Sequence, residues 1–152
     1  MIALLLVAAA AAAYQLLAVA AALRHLAKKD PVPRALPPVS ILKPLRGMDP
    51  DFREALYSHA VLDYPDYEVL IGVADPADPV VPEVHRLLEE HPERFRLVPV
   101  STAAPNGKVG VLIDLARAAR HPLILVNDSD IRVTPDYLRR LVGWLEDPAV
   151  GL

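Results

Sequence analysis

The 152-residue sequence contains no cysteine, which excludes a disulfide framework and a thiolate metal centre and fits a reducing compartment. Glycine is scarce, and its six positions match neither G-x-x-x-x-G-K-[ST] nor G-x-G-x-x-G. "NGKVG" (Asn106 to Gly110) is the nearest approach and lacks the spacing, so neither familiar phosphate-cradling glycine loop is present. A G-x-S-x-G nucleophile elbow is also absent. No two of the five histidines have metal-ligand spacing, and His59, His85 and His91 fall at helical positions that suit surface or packing roles. The net charge is only −3, so no strong field favours nucleic acid as a partner.

Charge is missing altogether from residues 1–23, "MIALLLVAAAAAAYQLLAVAAAL". As a helix this run is roughly 34 Å long, against a hydrocarbon core of about 30 Å. It reads as a transmembrane helix. A cleaved signal peptide is the alternative, since the Ala-rich stretch offers an A-x-A site. However, no basic residue precedes the run, and it is longer than a signal core. Arg24, Lys28, Lys29 and Arg34 follow it, and the positive-inside rule puts that flank, and the chain after it, on the cytoplasmic side.

Residues 24–38 read as a basic, proline-rich linker, with four prolines between Lys28 and Ser40. From Val39 strand and helix signals alternate. Strands are expected at Val39–Lys43, Tyr67–Ala74, Arg94–Val100 and Pro122–Asn127, and "AVGL" at 149–152 looks like the start of a fifth. Helices are expected after Asp49-Pro50, from near Pro82 to Pro92, after Asn106, and after a Thr134 cap with Pro135 next. The helix after Asn106 places Val109, Leu112, Ile113, Ala116 and Ala119 on one face. This alternation argues for an α/β fold with a mostly parallel sheet covered on both sides.

Ligands of open α/β sheets bind beyond the carboxyl ends of the strands. There the sequence offers Lys43, Pro44, Leu45, Arg46 and Gly47 after the first strand, and Asp75 and Asp78 after the second. "STAAPNGK" with Lys108 follows the third, and Asn127, Asp128, Ser129 and Asp130 follow the fourth. Carboxylates beside basic residues suit a ligand with an anionic group, a cation and a hydroxyl-rich part, as in a nucleotide-sugar with Mg²⁺ or Mn²⁺. Each residue also has a plainer reading. Asp75 can open an Asp-Pro turn, Asp78 can cap a helix, Lys108 can be a solvated lysine, and "DSD" can be a capping turn.

"PPVSILKPLRGMDPDF", "LDYPDYEVLIGVADPADP", "NGKV" and "VNDSDIRVTPDYL" occur in an order that resembles the ceramide glucosyltransferases and their bacterial relatives, including the hopanoid-biosynthesis-associated glycosyltransferases. The resemblance runs from about Pro37 to the end. It implies a GT-A fold, a Rossmann-like sheet for nucleotide-diphospho-sugars. It further implies a membrane-bound, inverting enzyme that moves a hexose from a UDP-sugar to a lipid hydroxyl, of ceramide or hopanoid type, at the cytoplasmic face. Asp75 matches the first acid of the family, expected near the uridine. Asp128 matches the second, expected at the metal and diphosphate. Many members carry D-S-G where this chain has D-S-D, so Asp130 is expected to help hold the cation. Lys43, Pro44, Leu45 and Lys108 are expected against the nucleotide. The third acid (the expected general base) and the Q-x-x-R-W segment are expected beyond Leu152. Residues 39–152 are thus read as the donor-binding part of a truncated GT-A domain that cannot turn over alone. Two other classes compete with this reading. One is a membrane-tethered α/β module whose acids only cap turns. The other is a phosphatase of the haloacid dehalogenase type, which carries its D-x-D on the first strand and not the fourth. The sequence does not specify the sugar, the lipid or the oligomeric state.

Overall fold

The computed structural model describes residues 2–48, 50–148 and 150. The chain divides into two compact units, residues 1–31 and 32–152. The first holds α1, Ile2–Leu26, which continues past the charge-free run through Arg24 and His25. It is apolar on all sides and, at 25 residues or about 37 Å, has the length and composition to cross a membrane.

The second unit runs β1 (Val39–Leu45), α2 (Phe52–Ser58), β2 (Tyr67–Val73), α3 (Val81–Glu90), β3 (Phe95–Val98), α4 (Gly107–Ala118), β4 (Leu123–Val126) and α5 (Tyr137–Leu145). All strand pairs are parallel and the order is β3-β2-β1-β4. β1 is buried along its whole length, as a central strand covered on both faces must be, and Val39, Ile41, Leu42 and Leu45 make it mostly apolar. The expected α/β sheet is therefore present, with each strand within a few residues of its expected bounds.

The strand order determines where the helices lie. β1, β2 and β3 step outward in one direction, and the chain then returns past β1 to form β4. Right-handed crossovers put α2 and α3 on one face and the return helix α4 on the other. Val39, Ile41, Leu45, Val69 and Ile71 accordingly pack with Phe52, Leu56, Val84, Leu87, Leu138 and Val142 of α2, α3 and α5. Leu42, Leu70 and Val98 pack with Val111 and Leu115 of α4. Gly72 allows this second contact to be close. A Cβ there would stand 2.5 Å from Val111 Cγ1.

Three local expectations are corrected. The buried face of α4 is Gly110, Val111, Asp114 and Leu115, while Val109 is 45% exposed. The helix is rotated because Asp114 has work inside: its carboxylate accepts from Ser101 N (2.7 Å), Thr102 N (2.8 Å) and Thr102 Oγ1 (2.6 Å). α5 begins at Tyr137 with Asp136 at the N-cap, and the Thr134 hydroxyl donates to Asp136 Oδ1 rather than capping the helix. Residues 32–38 belong to the folded unit: Leu36 packs on the core, and Arg34 N and Ala35 N donate to the Glu146 carboxylate. The expected Asp49 cap lies outside the described residues. So does the expected strand at 149–152, apart from Val150.

Candidate functional site

The direction of strand growth reverses between β1 and β4, and in open α/β sheets the crevice for a ligand opens at such a switch point. A cleft of about 700 Å³ opens there, at the carboxyl ends of the strands. Pro44, Leu45 and Arg46 line it from the end of β1, and Ala74, Asp75 and Asp78 from the end of β2. Asn106, Gly107, Lys108 and Val111 line it from the start of α4, and Asp128, Ser129 and Asp130 from the end of β4. Of the residues proposed from sequence, Pro44, Leu45, Asp75, Lys108, Asp128 and Asp130 thus come together on one cavity, although Leu45 and Asp130 are 85 residues apart in sequence.

Lys43 is placed differently. Its side chain is fully buried beneath the cleft, and its Nζ donates to the main-chain oxygen of Asp128 at 2.8 Å. Burial pushes its pKa down to about 8, against the opposing pull of the Asp130 and Asp128 carboxylates. The alternation of β1 accounts for this. Residues 39, 41, 43 and 45 share the face that carries α2 and α5. Lys43 thus bonds the Asp128 loop from below and is not among the residues that line the cleft.

The acids divide into two kinds. Asp78 is committed: its carboxylate accepts from Gly47 N at 2.8 and 3.1 Å and from Val80 N at 2.9 Å. It ties the loop after β1, where Gly47 has φ +70°, to the start of α3. Asp75 is exposed, and its carboxylate accepts from Ala77 N at 2.9 Å, the Asp-Pro turn given as its plainer reading. Asp128 and Asp130 are both exposed to the cleft, and Asp128 Oδ1 is 2.5 Å from Lys108 Nζ.

The opposite wall is the N-terminus of α4. Asn106 caps it by accepting from Lys108 N at 3.0 Å, so the positive end of the helix dipole and the Lys108 ammonium face the same space. Arg46 adds a third positive group on the β1 side. The cleft has a cationic wall opposite a carboxylate pair, and this suits a diphosphate held between them.

Among the described residues, no three His, Asp or Glu side chains gather as a metal cage. Asp128 and Asp130 supply hard oxygen donors and no softer ones. This fits a Mg²⁺ or Mn²⁺ ion that takes one or two carboxylates and completes its shell with phosphate oxygens and water.

Sequence reasoning missed the polar groups under the floor. His59 is fully buried, its Nδ1 2.9 Å from Ala55 O and its Nε2 3.1 Å from Asn127 Nδ2. Burial, and then the Lys43 charge, push its pKa down to about 4. Tyr137 donates from its hydroxyl to Asn127 Oδ1 at 3.1 Å. The one advance signal was an asparagine placed before "DSD" at the end of an apolar strand.

Known proteins agree with this architecture. The chain is 34% identical over 116 residues to ceramide glucosyltransferase 1 of Caenorhabditis elegans, and 29% identical over 124 residues to the ceramide glucosyltransferase of Komagataella phaffii. These matches cover 75% and 78% of this chain but 24% of each relative, so the chain spans about a quarter of their length. Among solved structures, a Pyrobaculum calidifontis mannosyltransferase in complex with GDP-Man and Mn²⁺ superposes with a TM-score of 0.68. It shares 30% identity, over 90% of this chain and 41% of its own. Staphylococcus aureus TarS residues 1–349, in complex with UDP-GlcNAc, superposes at 0.55 with 17% identity over 72% of this chain and 31% of its own, a likeness of fold. The parallel β3-β2-β1-β4 sheet is thus the GT-A arrangement of nucleotide-sugar transferases. Nothing in these relatives favours a phosphatase. Glycosyl transferase family 21 matches residues 1–152, and the chain belongs to it.

Proposed function

We propose that this chain is the donor-binding part of a membrane-bound glycosyltransferase that moves a hexose from a UDP-sugar to a lipid hydroxyl, of ceramide or hopanoid type, with inversion. The observation that carries the reading is the convergence of Asp128, Asp130, Lys108, Arg46 and the α4 N-terminus on one cleft at the switch point. Names of relatives at up to 34% identity support the acceptor class, α1 supports a membrane location, and the basic residues after it, Arg24, Lys28, Lys29 and Arg34, support the cytoplasmic side for the folded unit.

In this reading the uridine lies toward Asp75 and the loop Pro44–Arg46, and the diphosphate lies between Lys108 and the Asp128–Asp130 pair. Lys108, Arg46 and the α4 N-terminus offset negative charge on the diphosphate as its bond to the anomeric carbon breaks. Asp128 and Asp130 would hold the Mg²⁺ or Mn²⁺ ion, which supplies further charge stabilisation to the leaving diphosphate when bound. The acceptor oxygen forms the new bond on the opposite face of the sugar, hence the inversion. A general base must take its proton. Neither Asp128 nor Asp130 is given that role, because they face the diphosphate, and Asp78 is bonded to Gly47.

Titration calorimetry of UDP, with and without Mn²⁺, tests the site. Mn²⁺ should tighten UDP binding to the wild type, and Asp128→Asn should lose about tenfold or more of that gain, since a charged ligand is removed. Unchanged UDP–Mn²⁺ affinity in the variant would refute the role of Asp128.

A further inference from the structure

Asp128 and Asp130 stand in a loop after an edge strand, yet a cation site needs its carboxylates held to a fraction of an ångström. What holds the first of them is polar and buried. Asn127 is 4% exposed, its amide N–H bonds to Leu42 O at 3.0 Å, and both ends of its side chain are engaged. Ala55 O can only accept, so His59 carries its proton on Nδ1 and leaves Nε2 as an acceptor. Nε2 therefore receives the Asn127 Nδ2 proton, which turns Asn127 Oδ1 toward the Tyr137 hydroxyl that donates to it. With the imidazole neutral, one arrangement of tautomer and amide satisfies all three bonds. The Lys43 ammonium then fixes the next residue through Asp128 O. α2, β1 and α5 thus converge on residues 127 and 128.

An apolar trio of the same shape would fill this space without three polar groups to satisfy. What the polar version adds is direction, since hydrogen bonds fix an angle where apolar contacts fix only a distance. We infer that His59, Asn127 and Tyr137 are positioning residues, a hydrogen-bond relay that holds the Asp128 main chain so that its carboxylate meets a cation bound with the diphosphate. This rests on the nucleotide-sugar reading of the cleft and assigns roles to residues that touch no ligand.

The test uses the whole chain, α1 included, in detergent, with UDP titrated in the presence and absence of Mn²⁺ and thermal melting in parallel. The variants are Tyr137→Phe, which removes one oxygen from a half-buried ring, and Asn127→Leu, which keeps the heavy-atom count and branching. Groups that orient metal ligands typically alter metal affinity by about 10- to 100-fold. Both variants are expected to lose about tenfold of the Mn²⁺-dependent gain in UDP affinity while Mn²⁺-free UDP binding stays within about twofold. A merely structural role would lower melting and Mn²⁺-free binding together and leave the Mn²⁺ gain intact, which overturns the relay. So does a Tyr137→Phe protein that keeps the full gain, and this variant decides the matter if Asn127→Leu fails to fold. A wild type indifferent to Mn²⁺ would instead overturn the nucleotide-sugar reading, and the relay with it.

Discussion

Lys108 Nζ stands 2.5 Å from Asp128 Oδ1 across the mouth of the cleft and joins the first turn of α4 to the loop after β4. Both side chains are about half exposed, at 50% and 53%. Such a pair contributes only about 0–1 kcal/mol, so it is easily exchanged: a diphosphate can take the ammonium and a cation the carboxylate. Lys108→Met is expected to weaken UDP binding about tenfold, since one charged contact of this kind is worth about 1.5 kcal/mol. The same variant should bind Mn²⁺ more tightly in the absence of UDP, because the competing ammonium is gone. Calorimetry with each ligand alone reads the two opposite signs. Equal loss of both would mean that Lys108 supports the fold rather than the ligand.

Gly72 brings β2 close to α4. A Cβ at this position would meet Val111 Cγ1 at 2.5 Å and Leu115 Cδ2 at 3.1 Å. Both are methyl ends of side chains buried in the small core under α4, with little room to turn away. Gly72→Ala should therefore destabilise the fold by about 1–3 kcal/mol through overpacking. Because the same helix presents Lys108 to the cleft, UDP affinity should fall as well. Chemical denaturation and UDP titration on one preparation check both, and a variant of unchanged stability would show that α4 can shift without penalty.

What could be read in the sequence, and what could not, follows from which residues carry a local signature. Asp75, Asp128 and Asp130 were legible because an apolar run that ends in carboxylates marks a strand end, and strand ends converge. Lys43 was expected against the nucleotide, and β1 held the clue to its burial. It shares a face with Ile41 and Leu45, both buried on the α2 side. Asp114 hid the true face of α4, since a carboxylate inside a helix reads as a solvent position until its partners, 12 and 13 residues earlier, are known. The His59–Asn127 bond spans 68 residues and has no local signature at all.

His59 gives the fold a pH limit. Its ordinary pKa of 6.5 is pushed down to about 4 by burial and, secondarily, by the Lys43 ammonium. The folded state refuses a proton that the unfolded chain accepts. The contribution is complete above pH 6.5 and is lost as the pH falls toward 4. The shift corresponds to about 3 kcal/mol at most. Asp114, whose pKa hydrogen bonds from Thr102 and Ser101 lower from 3.8 to about 2, loses its contribution mainly below this window. Denaturation midpoints between pH 7 and pH 4 should therefore decline for the wild type and stay much flatter for His59→Gln. Parallel profiles would show that His59 is not the group responsible.

Asp78 separates support of the cleft wall from capture of the cation. Its carboxylate holds Gly47 N by both oxygens and Val80 N by one, so it fixes the loop after β1 against α3. It also lines the cleft beside Asp75, which leaves a reader of the sequence free to count it among the metal ligands. The two roles predict different losses. If Asp78 fixes the wall that receives the uridine, Asp78→Ala should reduce UDP affinity by about the same factor with and without Mn²⁺, because the wall moves in both cases. If it held the cation, only the Mn²⁺-dependent part would fall, as expected for Asp128→Asn. The bonds to Gly47 and Val80 already engage both oxygens, and sharing them with a cation would break the latch. The Mn²⁺-independent loss is therefore the expected result, and calorimetry at zero and saturating Mn²⁺ measures it directly.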